Sequence, residues 1–359
     1  MSGTKPEKPP GSSEMTLAFL RRTFREHYFR HHDYIEMPEK VESREFGYTL
    51  FGRGMIRHLS YKTSGELAAD LVKQGPSSVY CSNATYSNPT LAMDEKGWKG
   101  AELIFDIDAS AIPTACQARH SFWACKDCGK IARSAEGPGT CQKCGGTSLA
   151  HLPWSCPECL AATKDHVARL ISFLTEDFGV ANTDIAVYFS GNRGYHLHVG
   201  DTRFESMQPE ARAEVANYVR GTGLIRPQRT DDSANGGWLA RMASAQHGDQ
   251  PPKMADLAGA FGSRIDESVT TDIHRIFRMP GTLHGSSGLL KAHVHDLAAF
   301  RPDYDPVVLG DDEVSVWVQG SPAFSLKGKT FGPFSGEEAE LPTYAAVYLM
   351  TKGLGRVEG

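Results

Sequence analysis

Seven of the chain's eight cysteines fall between Cys116 and Cys159, and six of those seven form three C-x-x-C pairs. A short segment so dense in thiols is organised by cross-links rather than by a core of its own, and the choice is between disulfides and metal. The opening residues Met1–Glu14 contain no apolar stretch of a secretory signal, so the expectation is metal in a reducing compartment. Cys125, Cys128, Cys141 and Cys144 stand as C-x2-C-x12-C-x2-C, with Gly129 and Gly145 directly after the two pairs. Four thiolates at this spacing suit a tetrahedral, structural Zn²⁺. A redox pair and inert thiols are the alternatives.

The remaining chain has to supply the fold. With 359 residues, 40% hydrophobic and 23% charged, it is long enough for one large or two ordinary globular domains. No run approaches the ~20 apolar residues of a membrane span, so no membrane association and a cytoplasmic location are expected. A net charge of -5 argues against a surface that is basic throughout, but leaves room for a local basic groove. Residues 1–13, rich in Pro, Gly, Ser and Lys, read as disordered. A helix is expected from near Thr16 to near His31, strands over Phe46–Phe51 and Met55–Tyr61, and a helix from a Ser64 cap to Gln74. Glu102–Asp108 reads as a buried strand. Asp165 is the expected cap of a helix that buries Val167, Leu170, Ile171, Leu174 and Phe178 and stops at Gly179. Strands follow over Asp184–Gly191 and Tyr195–Val199, then a helix over Pro209–Arg220. Residues 228–264 read as a long loop with short helices, and strand-like pieces return near His293 and Val314–Val318. The class is α/β (α+β), with the cysteine segment inserted between a strand and a helix.

Three segments carry candidate chemistry. Asp106 and Asp108 lie two apart on a strand, so they share a face. Carboxylates that close repel unless a cation lies between them, and oxygen ligands suit Mg²⁺ or Mn²⁺. The bland alternative is a solvated strand end. In SGNRGYHLHV (Ser190–Val199), Gly191 and Gly194 permit a tight turn between strands, and Ser190 and Arg193 offer a hydroxyl and a cationic fork for phosphate. His196 and His198 share the face opposite Tyr195, Leu197 and Val199. An ordinary hairpin with an exposed arginine is the alternative. Ile265–Leu289 gathers Asp266, Asp272, His274, Arg275, Arg278 and His284 among Gly281, Gly285 and Gly288. That composition fits a site holding a metal and then a triphosphate, or else a surface helix with solvated charges.

Taken in order, REFGYTLFGRGMIRHLSY (Arg44–Tyr61), the FDID strand, SGNRGYHLHV and IDESVTTDIHRIFRMPGTLHGSSGL resemble the archaeal and eukaryotic-type DNA primase small (catalytic) subunit. The resemblance implies a mixed α/β core with RRM-like elements and an open cleft, with the catalytic domain over 14–300, a zinc module at 116–159, and a segment 301–359 that completes the core or docks a partner. It implies that Asp106, Asp108 and Asp266 hold two Mg²⁺ or Mn²⁺ ions, with Asp272 as the competing third ligand. By the same likeness Ser190, Arg193, His196, Arg278 and His284 contact the triphosphate, and Glu45 and Arg57 lie at the nucleotide site. Asn192 stands where the family often has Arg or Lys, which puts in question a second positive charge in the turn. Because the family has a zinc knuckle at this place, a second zinc on Cys116, His120, Cys156 and Cys159 is implied, with His151 as a rival to His120. Cys81 is left as a packed thiol. Trp123 and Trp154, beside the clusters, serve local packing or stack on template bases.

The implied activity is synthesis of short RNA primers on single-stranded DNA from NTPs, in replication, in the cytoplasm of a prokaryote of archaeal type. The implied partner is a primase large subunit carrying an iron–sulfur cluster. Two other readings stay open: a repair-type primase-polymerase preferring dNTPs, and a zinc-ribbon nucleic-acid-binding protein without catalysis.

Overall fold

A computed structural model describes residues 14–134, 137–152, 154–225, 236–244 and 253–357. The 1–13 stretch and parts of the 228–264 segment lie outside these residues. The chain opens with α1 (Glu14–Arg30), which buries Leu20, Phe24 and Tyr28 at four-residue spacing. The hairpin β1 (Arg44–Thr49) and β2 (Met55–Leu59) follows, then α2 (Ser64–Gln74). The cap of α2 is Thr63, one residue before the expected Ser64, and its hydroxyl accepts from Glu66 N. Next come β3 (Ser78–Tyr86), β4 (Trp98–Ala101) and β5 (Leu103–Asp108).

The cysteine segment is an insertion of α3 (Gln117–His120) and the strands β6 (Phe122–Cys125), β7 (Ile131–Arg133) and β8 (Leu149–Leu152), paired in the order β7-β6-β8. It runs directly into α4 (Pro157–Ser172), capped at Cys156. The expected cap, Asp165, sits in mid-helix. Pro157 occupies the first turn, where a missing N–H costs nothing, so the helix starts two turns earlier than the carboxylate suggested. Beyond lie β9 (Ile185–Phe189), β10 (Gly194–Val199), α5 (Pro209–Arg220), α6 (Gly237–Ser244), α7 (Met254–Phe261), α8 (Glu267–Thr271), β11 (Ile276–Arg278) and β12 (Ala292–His293). The C-terminal part adds β13 (Glu313–Val318), β14 (Phe324–Leu326), β15 (Lys329–Phe331), β16 (Glu337–Pro342), α9 (Thr343–Thr351) and β17 (Gly355–Val357). Among the described residues no helix is long and apolar enough to cross a membrane.

Two antiparallel sheets build the centre. One runs β11-β3-β1-β2, with β4 also on β3; the other runs β12-β9-β10-β5. In the second sheet Leu103, Phe105, Ile107, Tyr195, Leu197 and Val199 form one buried face, covered by α4. The polar alternates Asp106, Asp108, His196 and His198 form the other face. Phe277 of the first sheet packs on that face, its ring 5.9 Å from His196 and 6.2 Å from His198. The cleft between the sheets is therefore lined by the polar halves of two alternating strands. The C-terminal segment joins the same core: α9 buries Tyr344, Val347, Leu349 and Met350, and Val357 N donates to Thr16 Oγ1 of α1 at 3.2 Å.

Gly194 faces Asp108 across the ladder, and a Cβ there would lie 2.3 Å from Ile107 O. Gly194→Ala is expected to cost about 1–3 kcal/mol, the usual penalty of forced overpacking. Gly54→Ala, where a Cβ meets nothing within 4 Å, is expected to stay within about 0.5 kcal/mol. Urea unfolding of the two variants checks the difference.

Candidate active site

Asp106 and Asp108 occupy the end of β5, and the backbone brings a third carboxylate to them: Asp266 N donates to Asp106 O at 2.9 Å. Asp266 caps α8, its Oδ1 accepting from Ser268 N and Oγ at 2.9 and 2.7 Å. Asp108 is held in the same way by Ser110 N and Oγ, at 2.8 and 2.6 Å. Burial, then the charges of Asp108 and Asp266, push the Asp106 carboxyl up to about 7. The three sets of oxygens are not all within 4.8 Å of one another, unlike those of the cysteine clusters. Asp272 turns back onto His274 N at 2.9 Å and faces Tyr86 instead.

The glycine turn stands against this acidic corner. Ser190 closes it, its backbone N donating to Gly194 O at 2.8 Å and its Oγ accepting from Gly194 N at 3.2 Å. Gly191 has φ +84, and a Cβ on it would press on His284 Cβ at 2.9 Å, so the turn and the 281–291 loop sit in direct contact. Arg193 reaches Asp108 Oδ2 at 3.5 Å, and His196 lies 3.6 Å from Asp106 Oδ1. Arg278 lies over the Tyr80 ring at 5.3 Å. His284 Nδ1 accepts from Ser286 N at 3.0 Å, which leaves Nε2 for the cleft. Burial and the charges of Arg278, Lys352 and Arg193 hold this imidazole neutral. Arg193 Nε, Arg278 Nε and His196 Nδ1 are buried without a hydrogen-bond partner. Unpaired buried polar atoms of this kind are costly unless a ligand meets them.

Glu45 is fully buried and its carboxylate is already taken by Arg57 Nε at 2.9 Å, Arg57 Nη2 at 3.2 Å, His58 N at 3.2 Å and Lys96. Burial works against its charge, and Arg57 and Lys96 outweigh it, so its pKa is lowered. Of this pair Arg57, about a third exposed, is the group presented outward; Glu45 braces it.

The cysteine module contains two sets of four ligands that can each hold a metal ion: Cys125, Cys128, Cys141 and Cys144, and Cys116, His120, Cys156 and Cys159. Sulfur pairs lie at 3.6 Å in the first set and 3.2 Å in the second. A tetrahedron with Zn–S bonds of about 2.3 Å has an edge of roughly 3.7 Å, so both sets fit. His120 Nε2 lies 2.9 Å from Cys159 Sγ, whereas His151 packs on Trp123 at 5.2 Å. Trp154 is buried against Phe122, Phe324 and Tyr348, and Trp123 donates to Ser134 O at 3.0 Å; both rings serve local packing. Cys81 is a buried thiol, as expected.

A family model described as DNA primase small subunit matches residues 151–295. Over 95% of its length the chain is 38% identical to the "DNA primase small subunit PriS" of Cenarchaeum symbiosum, covering 98% of that protein. The chain belongs to the DNA primase small-subunit family. The PriS of Nitrosopumilus maritimus is 37% identical over 96% of this chain and 100% of its own, and that of Thermoplasma acidophilum 33% identical over 91% and 96%. The resemblance carried by the four sequence blocks is thus borne out. A solved polymerase domain of Mycobacterium tuberculosis Ligase D in complex with DNA is alike at a TM-score of 0.38 and 10% identity, covering 82% of this chain and 89% of its own, too distant to bear on the site.

Within this primase fold two lysines join the cleft that the blocks did not single out. Lys291 is fully buried, donates to Arg278 O at 2.8 Å and lies 3.2 Å from His198 Nε2. A lone charge among Leu289, Leu290 and Ala292 was its only signal in the sequence. Lys352, just past α9, sits over the Tyr348 and Trp154 rings at 4.6 and 5.5 Å and lines one cavity with Asn192 and Arg193. Burial and neighbouring arginines lower both ammonium groups to about 7. Nothing local in the sequence pointed to Lys352.

Glu102 ties the sheets from behind the site, accepting from Arg44 and facing His198 Nδ1 at 3.4 Å. Burial disfavours its charge, but His198 and Arg44 more than compensate and hold its carboxyl at about 2. A depressed carboxyl stabilises above its unfolded pKa and loses that stabilisation as pH falls toward the folded value. Between pH 6 and pH 3 the protein should therefore lose about 2 kcal/mol more than Glu102→Gln does. Urea titrations at the two pH values provide the check.

Proposed function

We propose that this chain is a template-directed nucleotidyl transferase that makes primers on single-stranded DNA in replication, with Asp106, Asp108 and Asp266 as its metal ligands. The observation that carries the reading is the acidic corner itself: three carboxylates gathered at one cleft, with burial and the charges of Asp108 and Asp266 pushing the Asp106 carboxyl up to about 7, beside Arg193 Nε, Arg278 Nε and His196 Nδ1, which have no hydrogen-bond partner. Two Mg²⁺ or Mn²⁺ ions held there would supply charge neutralisation for an attacking 3′-hydroxyl and a leaving pyrophosphate. Ser190, Arg193 and the neutral His284 donate to triphosphate oxygens, and Arg278 adds a fixed positive charge. His196, between Asp106 and Phe277, orients the carboxylate. Arg57, braced by Glu45, faces the nucleotide from the other sheet. Lys352 supplies the second cation that Asn192 does not give the turn. The catalytic contribution is then positioning and preorganised charge.

NTPs are the proposed substrates, single-stranded DNA the template, and a primase large subunit the partner. The zinc sites are structural: each has four protein ligands and leaves no open position for water. The catalytic residues occupy the 14–300 stretch, with 301–357 packed into the same core.

Asp106→Asn combined with Asp108→Asn should reduce primer synthesis on a single-stranded template by at least about a thousandfold, with the thermal unfolding midpoint kept or raised, since it removes like-charge repulsion. Undiminished synthesis would sink the reading. Elemental analysis should find two zinc ions per chain. Cys128→Ser and Cys159→Ser should each lose one, and a chelator should lower the unfolding temperature.

A further inference from the structure

Beyond Trp154 and Cys156, which also wall the cavity of Arg193 and Lys352, a groove of about 880 Å³ opens between the cysteine module and the C-terminal sheet. Its charge is out of keeping with a chain of net charge -5. Five cations line it, Arg119, Lys130, Arg133, Lys143 and Arg356, against one carboxylate, Glu158, which Arg119 already takes. Lys130, Arg133 and Lys143 have no ion pair among the described residues. Between them the groove presents ring surface: Trp317, with the Arg356 guanidinium 5.7 Å over it, and Phe334.

The groove is prebuilt. Gly129, after the first cysteine pair, sits so tightly on Gln319 that a Cβ would lie 1.8 Å from its Nε2, and Gly320 lies within 3.5 Å, by the same measure, of Ile131. The module is thereby seated on the strand end that follows β13, and the basic wall and the aromatic wall face one another at fixed spacing.

We propose that this groove is a track for single-stranded DNA that leads the template past Trp154 to the catalytic cleft. Lys130, Arg133 and Lys143 hold phosphates, and Trp317 and Phe334 stack on bases. Charge selects a polyanion, and the rings select one with exposed flat faces, which a single strand has and a duplex hides. The place of the groove, sharing a wall with the Arg193 cavity, links it to the proposed active site. The assignment of the strand as template rests on the functional reading above.

The test uses the full chain and a fluorescein-labelled oligothymidylate of twenty nucleotides, followed by anisotropy over a range of salt. Combined Lys130→Gln, Arg133→Gln and Lys143→Gln should weaken binding about tenfold or more and flatten the salt slope by about 2, as expected for three lost phosphate contacts. Trp317→Ala, outside the module, should weaken it about fivefold or more with the slope unchanged. Zinc content equal to wild type reports that the module is folded, and binding of a fluorescent ATP analogue with Mn²⁺ should stay as in wild type. Unchanged oligonucleotide affinity and slope in both variants would overturn the proposal, as would tight binding of polyglutamate with none of the oligonucleotide. If both variants lose binding while wild type makes no primers, the groove stands and the catalytic reading fails. If primers are made and binding is unaltered, the reverse holds.

Discussion

The register of β5 against β10 sets Asp106 opposite His196 and Asp108 opposite Gly194. Side chains alternate across a strand, so a slip of one residue would turn the carboxylates into the apolar core and Phe105 and Ile107 into the cleft. Burial of Leu103, Phe105, Ile107, Tyr195, Leu197 and Val199 under α4 makes such a slip prohibitive. The hydrophobic face of two strands thus fixes the polar chemistry on the other. The register also fixes Asp266, whose backbone N–H is spent on Asp106 O.

Around this ladder the charged groups are held by other charged groups. Arg44 of the first sheet reaches Glu102, Glu102 faces His198, His198 meets Lys291, and Lys291 donates to the carbonyl of Arg278. The His198 imidazole, lowered to about 4 by burial and Lys291, is neutral near pH 7. Its Nδ1–H then serves Glu102 while Nε2 accepts from Lys291, so one ring links the sheets. Glu45 does the same work for Arg57 and Lys96 in the first sheet. Breaking such a network leaves a buried charge unpaired, which costs more than the pair contributes. The result is a cleft whose walls keep their spacing while Arg193 Nε and Arg278 Nε inside it have no hydrogen-bond partner.

The parts legible in the sequence are those encoded by local period or fixed spacing. Alternation put Asp106 and Asp108 on one face of β5 and His196 and His198 on one face of β10, glycine marked the turn, and the cysteine pairs marked the ribbon; that the two faces meet follows from the register of the strands. What escaped depends on tertiary contact. Asp165 looked like a cap, but Pro157 and the seating of Cys156 at the second metal-ligand set start α4 earlier. Glu45 looked like a ligand residue; its burial beneath Arg57 and Lys96 follows from pairing between β1, β2 and β3. Lys352 arrives from a helix at the far end of the chain, and no spacing could have placed it beside Arg193. His120 was separated from His151 only when α3 turned its ring toward Cys159.

The most direct test of the site is the position of its metals. A crystal of the protein with Mn²⁺ and a non-hydrolysable NTP, examined by anomalous diffraction, should show two manganese peaks about 3.5–4 Å apart. They should be ligated by Asp106, Asp108 and Asp266, with the triphosphate against Arg193, Arg278 and His284. Manganese held elsewhere, or a triphosphate bound away from the Ser190–Gly194 turn, would contradict the account.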